Sequence, residues 1–240
     1  MSIDPLLLTT TRLLTYQGTQ SLTSATGFFF ERAGRLFVVT SGHVLREDSS
    51  GHHPDRLELT LHTSLENLSQ TVVQSILLYD NGLAVWRAAQ DAAGPVDVAV
   101  IELDRRQLPS NIELVAFGPD DLLVPPTPVE IGTPLLMPGF PLGFYDTVYH
   151  LPVVRQATLA SAFGIRFQGQ GYFLTDARAH RGSSGSPVVV RWPEAQGPLK
   201  WRLLGIHSLR FDMASRDEAV DESLGLNCAW YADVLGVLTQ

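Results

Sequence analysis

Short runs rich in β-branched and aromatic residues recur through the chain, separated by segments of glycine, proline and small polar residues. Runs of roughly four to eight residues have the length of β-strands and are too short for most helices. With 20 glycines and 15 prolines among 240 residues, turn signals are dense, which favours an all-β fold. In the first half the predicted strands are 27–31, 36–40, 57–61, 71–78, 83–86 and 98–103.

Residues 119–130 differ from the runs on either side, because they contain Pro119, Pro125, Pro126 and Pro128. Proline cannot donate to a strand ladder, so this segment predicts a connector. We therefore expect one antiparallel β-barrel over residues 1–118 and a second over residues 131–240. The second half has predicted strands at 135–137, 148–159, 164–167, 172–175, 187–190, 203–207 and 226–230, with a short C-terminal helix at 231–238.

The segment Gly-Ser-Ser-Gly-Ser-Pro at residues 182–187 places Ser184 between residues with small side chains. Glycines allow a tight turn and let backbone N–H groups converge on one point. Such a turn leaves a serine hydroxyl accessible for attack on a substrate. Taken alone, however, the simpler interpretation is a polar surface turn.

Two further segments supply the partners that an attacking serine needs. Residues 37–44 form an apolar run that ends in small residues and His43, and residues 96–101 form an apolar run that begins around Asp97. A serine hydroxyl needs a base within hydrogen-bonding reach, and the base needs a group that orients it. The chain order His, Asp, Ser is that of the chymotrypsin type and differs from those of subtilisins and α/β-hydrolases.

These segments resemble the motifs of trypsin-like serine proteases. Thr40-Ser41-Gly42-His43 resembles their histidine motif, and Asp97-Val98-Ala99-Val100 resembles their aspartate motif. Residues 182–187 resemble their Gly-Asn-Ser-Gly-Gly-Pro, with Ser183 and Ser186 replacing Asn and the second Gly. The resemblance covers about residues 27–233 and implies the chymotrypsin fold, in which the active site lies in the cleft between two β-barrels.

Two branches of this superfamily have similar additional motifs. Residues 139–143 and 175–177 resemble the Deg-like, or high-temperature-requirement, proteases. Residues 184–188, followed by 205–207, resemble the bacterial glutamyl endopeptidases. The motifs do not decide between these two branches.

The resemblance implies a serine endopeptidase that acts on a peptide or protein substrate without a cofactor or metal. In this interpretation Ser184 is the nucleophile, His43 is the general base and then the general acid, and Asp97 holds the imidazole tautomer. The backbone N–H groups of Gly182 and Ser184 form the oxyanion hole, a pair of donors that stabilises the charge on the substrate oxygen.

Asp91 and Asp104 compete with Asp97 for the orienting role, because both lie nearby in the sequence. Asp97 directly precedes the apolar strand, whereas Asp104 follows it beside Arg105-Arg106 and is expected to be solvated. We therefore prefer Asp97.

Substrate preference depends on the strand at residues 204–210, which in this family lines the primary specificity pocket. His207 matches a histidine that contacts the substrate side chain in glutamyl endopeptidases and in viral proteases that cut after Gln. Arg178 stands where trypsin carries its pocket acid, and Ser208 and Arg210 complete the candidate substrate-binding residues. A cation and an imidazole together predict cleavage after Glu, Gln or Asp. The alternative places Arg178 in solvent and predicts a preference for small or aliphatic residues.

Composition limits the partners and the compartment. The formal net charge of −8, without a basic block, argues against nucleic acid. Cys228 is the single cysteine, so no intrachain disulfide is possible; this fits a cytoplasmic location without excluding an exported mature form. No signal-peptide pattern or membrane-length run is present, so we expect no membrane partner. The adjacent His52 and His53 lack a ligand pair at metal-binding spacing.

Two alternatives to a protease stay open at this stage. One is a non-catalytic peptide-binding module that uses the same cleft, although a binder has no need of all three residues. The other is a serine esterase or acyl transferase, since esters react with any competent Ser–His pair. The polar segment 211–223 is either a surface loop or a gate for the site, and a gate makes a protein activator or regulator a candidate partner.

Overall fold

The computed structural model describes residues 3–195, 197, 199–211 and 225–240, and β-strands dominate it. The all-β fold class is therefore confirmed. Apart from Phe211, the predicted gate lies outside the described residues. Within the described ranges, no helix combines the length and the apolar character that crossing a membrane requires.

The elements of the N-terminal half are β1 Thr10–Gln17, β2 Gln20–Arg32, β3 Arg35–Thr40, α1 Gly42–Leu45, β4 Arg56–His62, β5 Thr71–Leu77, β6 Tyr79–Asp80, β7 Leu83–Ala84, β8 Trp86–Asp91 and β9 Gly94–Leu103. Seven of these strands form an antiparallel sheet in the order β5-β4-β1-β2-β3-β9-β8. Alternation drives this arrangement: in β4, Leu57, Leu59 and Leu61 are buried between more exposed polar residues. A separate pair, β6 and β7, and one helical turn, α1, complete this half.

The elements of the C-terminal half are β10 Pro134–Gly139, β11 Val153–Leu159, β12 Tyr172–Asp176, β13 Pro187–Arg191, β14 Trp201–Arg210, β15 Leu226–Tyr231 and α2 Leu235–Leu238. The six strands form a closed antiparallel barrel in the order β10-β11-β12-β15-β14-β13. The expected C-terminal helix is a 3-10 turn at Ala232–Val234 followed by the short helix α2.

A shared apolar core fixes the two halves against each other. Buried aromatic and aliphatic side chains from both halves form one cluster, including Phe28, Phe30, Phe37, Leu203, Ile206 and Trp230. The proline-rich segment packs along the interface between the halves, where Asp121 pairs with Arg202 at 2.6 Å and Leu123 N donates to Leu203 O at 2.9 Å. This shared core therefore fixes the two sides of the cleft between the halves. The proposed domain limits at 118 and 131 stay a prediction.

The predicted strand 83–86 is divided between β7 and β8, which belong to different sheets. Three further strand predictions were wrong, each for a local reason. Strand β1 was missed because threonines share its buried face with Leu13, so its pattern is not apolar. Strand β11 begins at Val153 rather than 148, since Asp146 Oδ1 accepts the N–H groups of Val148 and Tyr149 and closes a turn. The predicted strand 164–167 is a loop leading into the 3-10 turn Phe167–Gly169.

Candidate active site

The structure brings the three predicted catalytic side chains together in the cleft. His43 lies in α1 directly after β3, Asp97 lies in β9, and Ser184 lies in the loop between β12 and β13. His43 Nδ1 lies 2.7 Å from Asp97 Oδ2, and His43 Nε2 lies 3.0 Å from Ser184 Oγ. The two halves of the molecule thus each supply part of one hydrogen-bonded chain.

Asp97 accepts three hydrogen bonds that fix its carboxylate. The backbone N–H of His43 donates to Oδ1 at 2.8 Å, while His43 Nδ1–H and the Ser208 hydroxyl both donate to Oδ2. Because a carboxylate can only accept, the proton lies on Nδ1 and leaves Nε2 free to accept from Ser184. Gly42 leaves room for this contact, since a Cβ there would lie 3.0 Å from Asp97 Oδ1.

The two competing carboxylates belong to other contacts. Asp91 pairs with Arg166, and Asp104 pairs with Arg106 at 2.8 Å on the surface. Neither contacts His43. The predicted preference for Asp97 over these two residues agrees with this geometry.

His43 has a raised pKa because Asp97 outweighs the effect of burial. Desolvation disfavours the imidazolium and lowers the pKa, but the hydrogen bond and negative charge of Asp97 raise it further, and the charge of Glu47 adds to the increase. The net result lies above the ordinary histidine value of 6.5. The ring is therefore a stronger base than a free imidazole.

This shift predicts the acidic limb of the pH–rate profile. A general base must be neutral, so if His43 is the base, we expect kcat/KM to rise with pH as His43 loses its proton, with a midpoint above 6.5. Replacing Glu47 with Gln removes a negative charge and should move the midpoint to lower pH, whereas Glu66→Gln at an exposed site should not. Stopped-time assays from pH 5 to 9 measure this, and identical midpoints for the native chain and Glu47→Gln would contradict the assignment.

The loop that carries the candidate nucleophile, residues 182–186 and called the nucleophile loop below, is a tight turn in which only glycine fits at two positions. Gly182 has φ +89° and Gly185 has φ +86°. A Cβ on Gly182 would lie 2.5 Å from Phe140 O, and one on Gly185 would lie 2.1 Å from Thr26 O. The sequence requirement for glycine here is thus both conformational and steric.

The two N–H groups predicted to form the oxyanion hole make no hydrogen bond to any described residue. Ser183 N donates to His180 O at 3.1 Å and Ser186 N donates to Ser183 O at 2.9 Å. Within the described part of the chain, the N–H groups of Gly182 and Ser184 have no hydrogen-bond acceptor. Donors left unpaired beside a candidate nucleophile are suited to a ligand oxygen.

Two of the predicted substrate-binding residues, Ser208 and His207, lie next to the candidate triad. Ser208 donates its hydroxyl to Asp97, and its backbone O lies 3.2 Å from Ser184 Oγ. His207 is 2% exposed, and its Nδ1 has no partner among the described residues. Burial, with a smaller contribution from the charge of His43, lowers the pKa of His207 to about 4, so the ring is neutral at pH 7.

The two predicted arginines lie on the surface rather than in a buried pocket floor. Arg178 and Arg210 are both exposed, and Arg178 has no ion pair within the described ranges. They share their surroundings with Arg155, because burial and then the charges of all three arginines lower the pKa of His180. The sequence analysis missed Arg155 and His180, which no motif marks.

Two hollows adjoin the nucleophile loop. A cleft of about 860 Å³ runs past Ser184 and His43 between the β1–β2 hairpin and Arg181. A second hollow of about 640 Å³ lies across the Leu142–Gly143 ridge and is lined by Phe144 and Arg155, among others. No group of three or more metal-ligating side chains occurs in the portion of the chain that the structure describes.

Comparisons with known proteins give a family and a fold. The family model of the trypsin-like peptidase domain matches residues 25–191. A serine endoprotease from Yersinia pestis superposes with a TM-score of 0.57 at 15% identity over 97% of this chain, which spans 62% of that structure's length. The Rv3671c protease from M. tuberculosis in its active form gives 0.53 at 14% identity, covering 98% of this chain and 82% of that one. A comparison with curated proteins finds no significant match.

Proposed function

Because the chain belongs to the trypsin-like peptidase family, as its motifs predicted, we propose that it is a serine endopeptidase that uses Ser184, His43 and Asp97. The observation that carries this proposal is the continuous hydrogen-bonded chain from Asp97 through His43 to Ser184, with separations of 2.7 and 3.0 Å. Distances of this size allow proton transfer without rearrangement.

In the proposed mechanism, Ser184 Oγ attacks the carbonyl carbon of the scissile peptide bond while its proton passes to His43 Nε2. The resulting oxyanion accepts hydrogen bonds from the N–H groups of Gly182 and Ser184. His43 then donates the proton to the leaving amine, and an ester to Ser184 remains. Water attacks this ester with His43 again as base, which releases the acid and restores Ser184. Asp97 stabilises the imidazolium in both halves of the reaction.

The test is cleavage of an unfolded protein substrate with and without prior treatment by a fluorophosphonate. We expect internal cuts in the substrate, loss of cutting after treatment, and an adduct that mass spectrometry maps to Ser184. An adduct on another residue, or cutting that survives full labelling, would contradict the proposal.

The same experiment separates the two alternative functions. Binding of the unfolded substrate with neither an adduct nor a cut favours the non-catalytic binding module. Turnover of a p-nitrophenyl ester with an adduct at Ser184, but no cut in any protein, favours the esterase. The activated geometry of Ser184 and His43 argues against the first, since a binder gains nothing from a poised base.

We further propose that the site prefers Glu, Gln or Asp before the scissile bond. The support is a group of cations near the nucleophile loop, since the charges of Arg155, Arg178 and Arg210 all act at His180. Arg178 is exposed, as the alternative of a small or aliphatic preference expects, so the proposal takes its charge as one of three at the surface and not as a buried pocket floor. A neutral His207 can donate a hydrogen bond to a carboxylate or to an amide oxygen. Charge attraction and one directed donor together favour acidic and amide side chains over aliphatic ones.

This preference predicts a specificity change for His207→Ala. We expect kcat/KM for substrates with Glu or Gln at this position to fall about 10- to 100-fold relative to a Leu substrate, since the substrate carboxylate or amide then loses the proposed donor. Profiling with a peptide library measures the ratio, and Arg191→Ala, an exposed arginine on β13, is the control. A native preference for Val, Ala or Leu would overturn the proposal.

We propose a cytoplasmic location and a protein regulator. A single buried cysteine is compatible with a reducing cytoplasm, where disulfides are rare. We also propose a protein activator or regulator as a partner, since a peptidase with a preassembled site needs control in any compartment that holds other proteins.

A further inference from the structure

Thr26 makes contacts that the motif analysis did not anticipate. It lies in β2 of the N-terminal sheet and is completely buried. Its backbone N–H donates to Ser184 O at 3.0 Å, and its hydroxyl donates to Gly182 O at 2.8 Å. The same hydroxyl oxygen accepts from Phe140 N at 3.0 Å, and Thr40 Oγ1 donates to the Thr26 carbonyl at 2.8 Å. Every polar group of Thr26 is therefore used.

Two hydrogen bonds fix the peptide groups on either side of Gly182, and Thr26 makes the second of them. On one side, Leu142 N donates to Arg181 O at 2.6 Å. In a trans peptide the C=O and N–H point in opposite directions, so this bond turns the Gly182 N–H away from Leu142. On the other side, the Thr26 hydroxyl holds Gly182 O. Gly182 itself, at φ +89°, has no side chain to resist rotation, so its orientation depends on its neighbours.

From this arrangement we propose that Thr26 is a positioning residue that holds the oxyanion hole in its working geometry. The inference rests on the proposed function, because an oxyanion hole matters only if Ser184 attacks a carbonyl. The Thr26 hydroxyl and backbone hold the two residues that supply the hole, through Gly182 O and Ser184 O. The N-terminal sheet thus orients donors that belong to the C-terminal half.

The chemistry requires a hydroxyl at this position. A valine keeps the shape and both backbone bonds of Thr26 but leaves Gly182 O and Phe140 N buried without this partner, which costs free energy. The loop can recover by rotating about Gly182, and such a rotation misaligns the N–H group. A serine keeps the hydroxyl, so Thr26→Ser should preserve the geometry. There is little room around the hydroxyl for another hydrogen-bond arrangement, since the backbone packs closely against it: a Cβ on Gly139 would lie 2.8 Å from Thr26 Oγ1.

The test compares kinetics of Thr26→Val and Thr26→Ser with a matched control, Thr10→Val. Thr10 is a buried threonine on the neighbouring strand whose Oγ1 has no partner among the described residues. Because losing an oxyanion donor costs about 10²–10³ in rate, partial misalignment in Thr26→Val should lower kcat about 10- to 100-fold and leave KM within about threefold. Thr26→Ser and Thr10→Val should retain native kcat.

Amide hydrogen exchange over residues 180–186 supplies a readout that needs no substrate. We expect faster exchange in Thr26→Val than in Thr10→Val. Native kcat in folded Thr26→Val, or equal exchange in the two variants, overturns the inference. If the native chain cuts nothing while the exchange difference is present, the proposed function fails and the positioning by Thr26 stands. If Thr26→Val does not fold, Thr26→Ala removes the same hydroxyl and takes its place in both measurements.

Discussion

Replacing Ser184 with alanine is expected to lower kcat for peptide hydrolysis about 10⁵- to 10⁶-fold, to the level that binding and the oxyanion donors alone supply. The reason is that Ser184 Oγ is the atom that lies 3.0 Å from His43 Nε2 beside the unpaired donors of the loop. Alanine removes this atom without disturbing the turn, since the hydroxyl of Ser184 contacts only His43 Nε2 and Ser208 O among the described residues. Fluorophosphonate labelling should disappear in the same variant.

The matched control for this variant is Ser186→Ala. Ser186 lies two positions along the same loop, is 1% exposed, and its hydroxyl has no partner within the described residues. Its replacement should leave labelling and kcat within about twofold of the native values, because it removes no described contact. Labelling that persists in Ser184→Ala, or that disappears in Ser186→Ala, would place the nucleophile elsewhere. Circular dichroism and thermal unfolding confirm that both variants are folded.

The proximity of His43, Asp97 and Ser184 could be predicted from the sequence because each of them lies in a local motif. His43 follows an apolar strand, Asp97 lies in one, and Ser184 lies between glycines at positive φ, and each of these patterns is visible in a few residues. The contacts that hold these three side chains in place are not visible in a few residues. Ser208 was expected to bind substrate, and its hydroxyl donates to Asp97 across 111 positions of chain.

Thr26 shows the same limit of sequence reasoning more sharply. It lies 156 positions from the carbonyl that it holds, and the local sequence Ala-Thr-Gly gives no signal of this contact. The fold shows a parallel division. Strand β4 alternates leucines with polar residues and was predicted, whereas β1 buries Thr11 and Thr15 beside Leu13 and was missed. Buried hydroxyls that bond to distant backbone atoms look like surface residues in a sequence.

Replacing Asp97 with asparagine is expected to lower kcat about 10⁴-fold through the histidine tautomer. The backbone N–H of His43 donates to Oδ1, so the amide oxygen of the asparagine would take the Oδ1 position. Its NH₂ group would then face Nδ1, which must become an acceptor. The proton moves to Nε2, and His43 can no longer accept the proton of Ser184.

Kinetics and pH dependence together test this explanation against simple misfolding. Asp104→Asn is the control, since Asp104 is paired with Arg106 on the surface and its replacement should leave kcat unchanged. Asp97 also raises the pKa of His43, so in Asp97→Asn the residual activity should have its acidic limb at lower pH than in the native chain. A decrease in kcat below tenfold, or an acidic limb that stays in place, would remove Asp97 from the orienting role. In that case the carboxylate would act only to anchor the His43 backbone and Ser208 at the seam between the two halves.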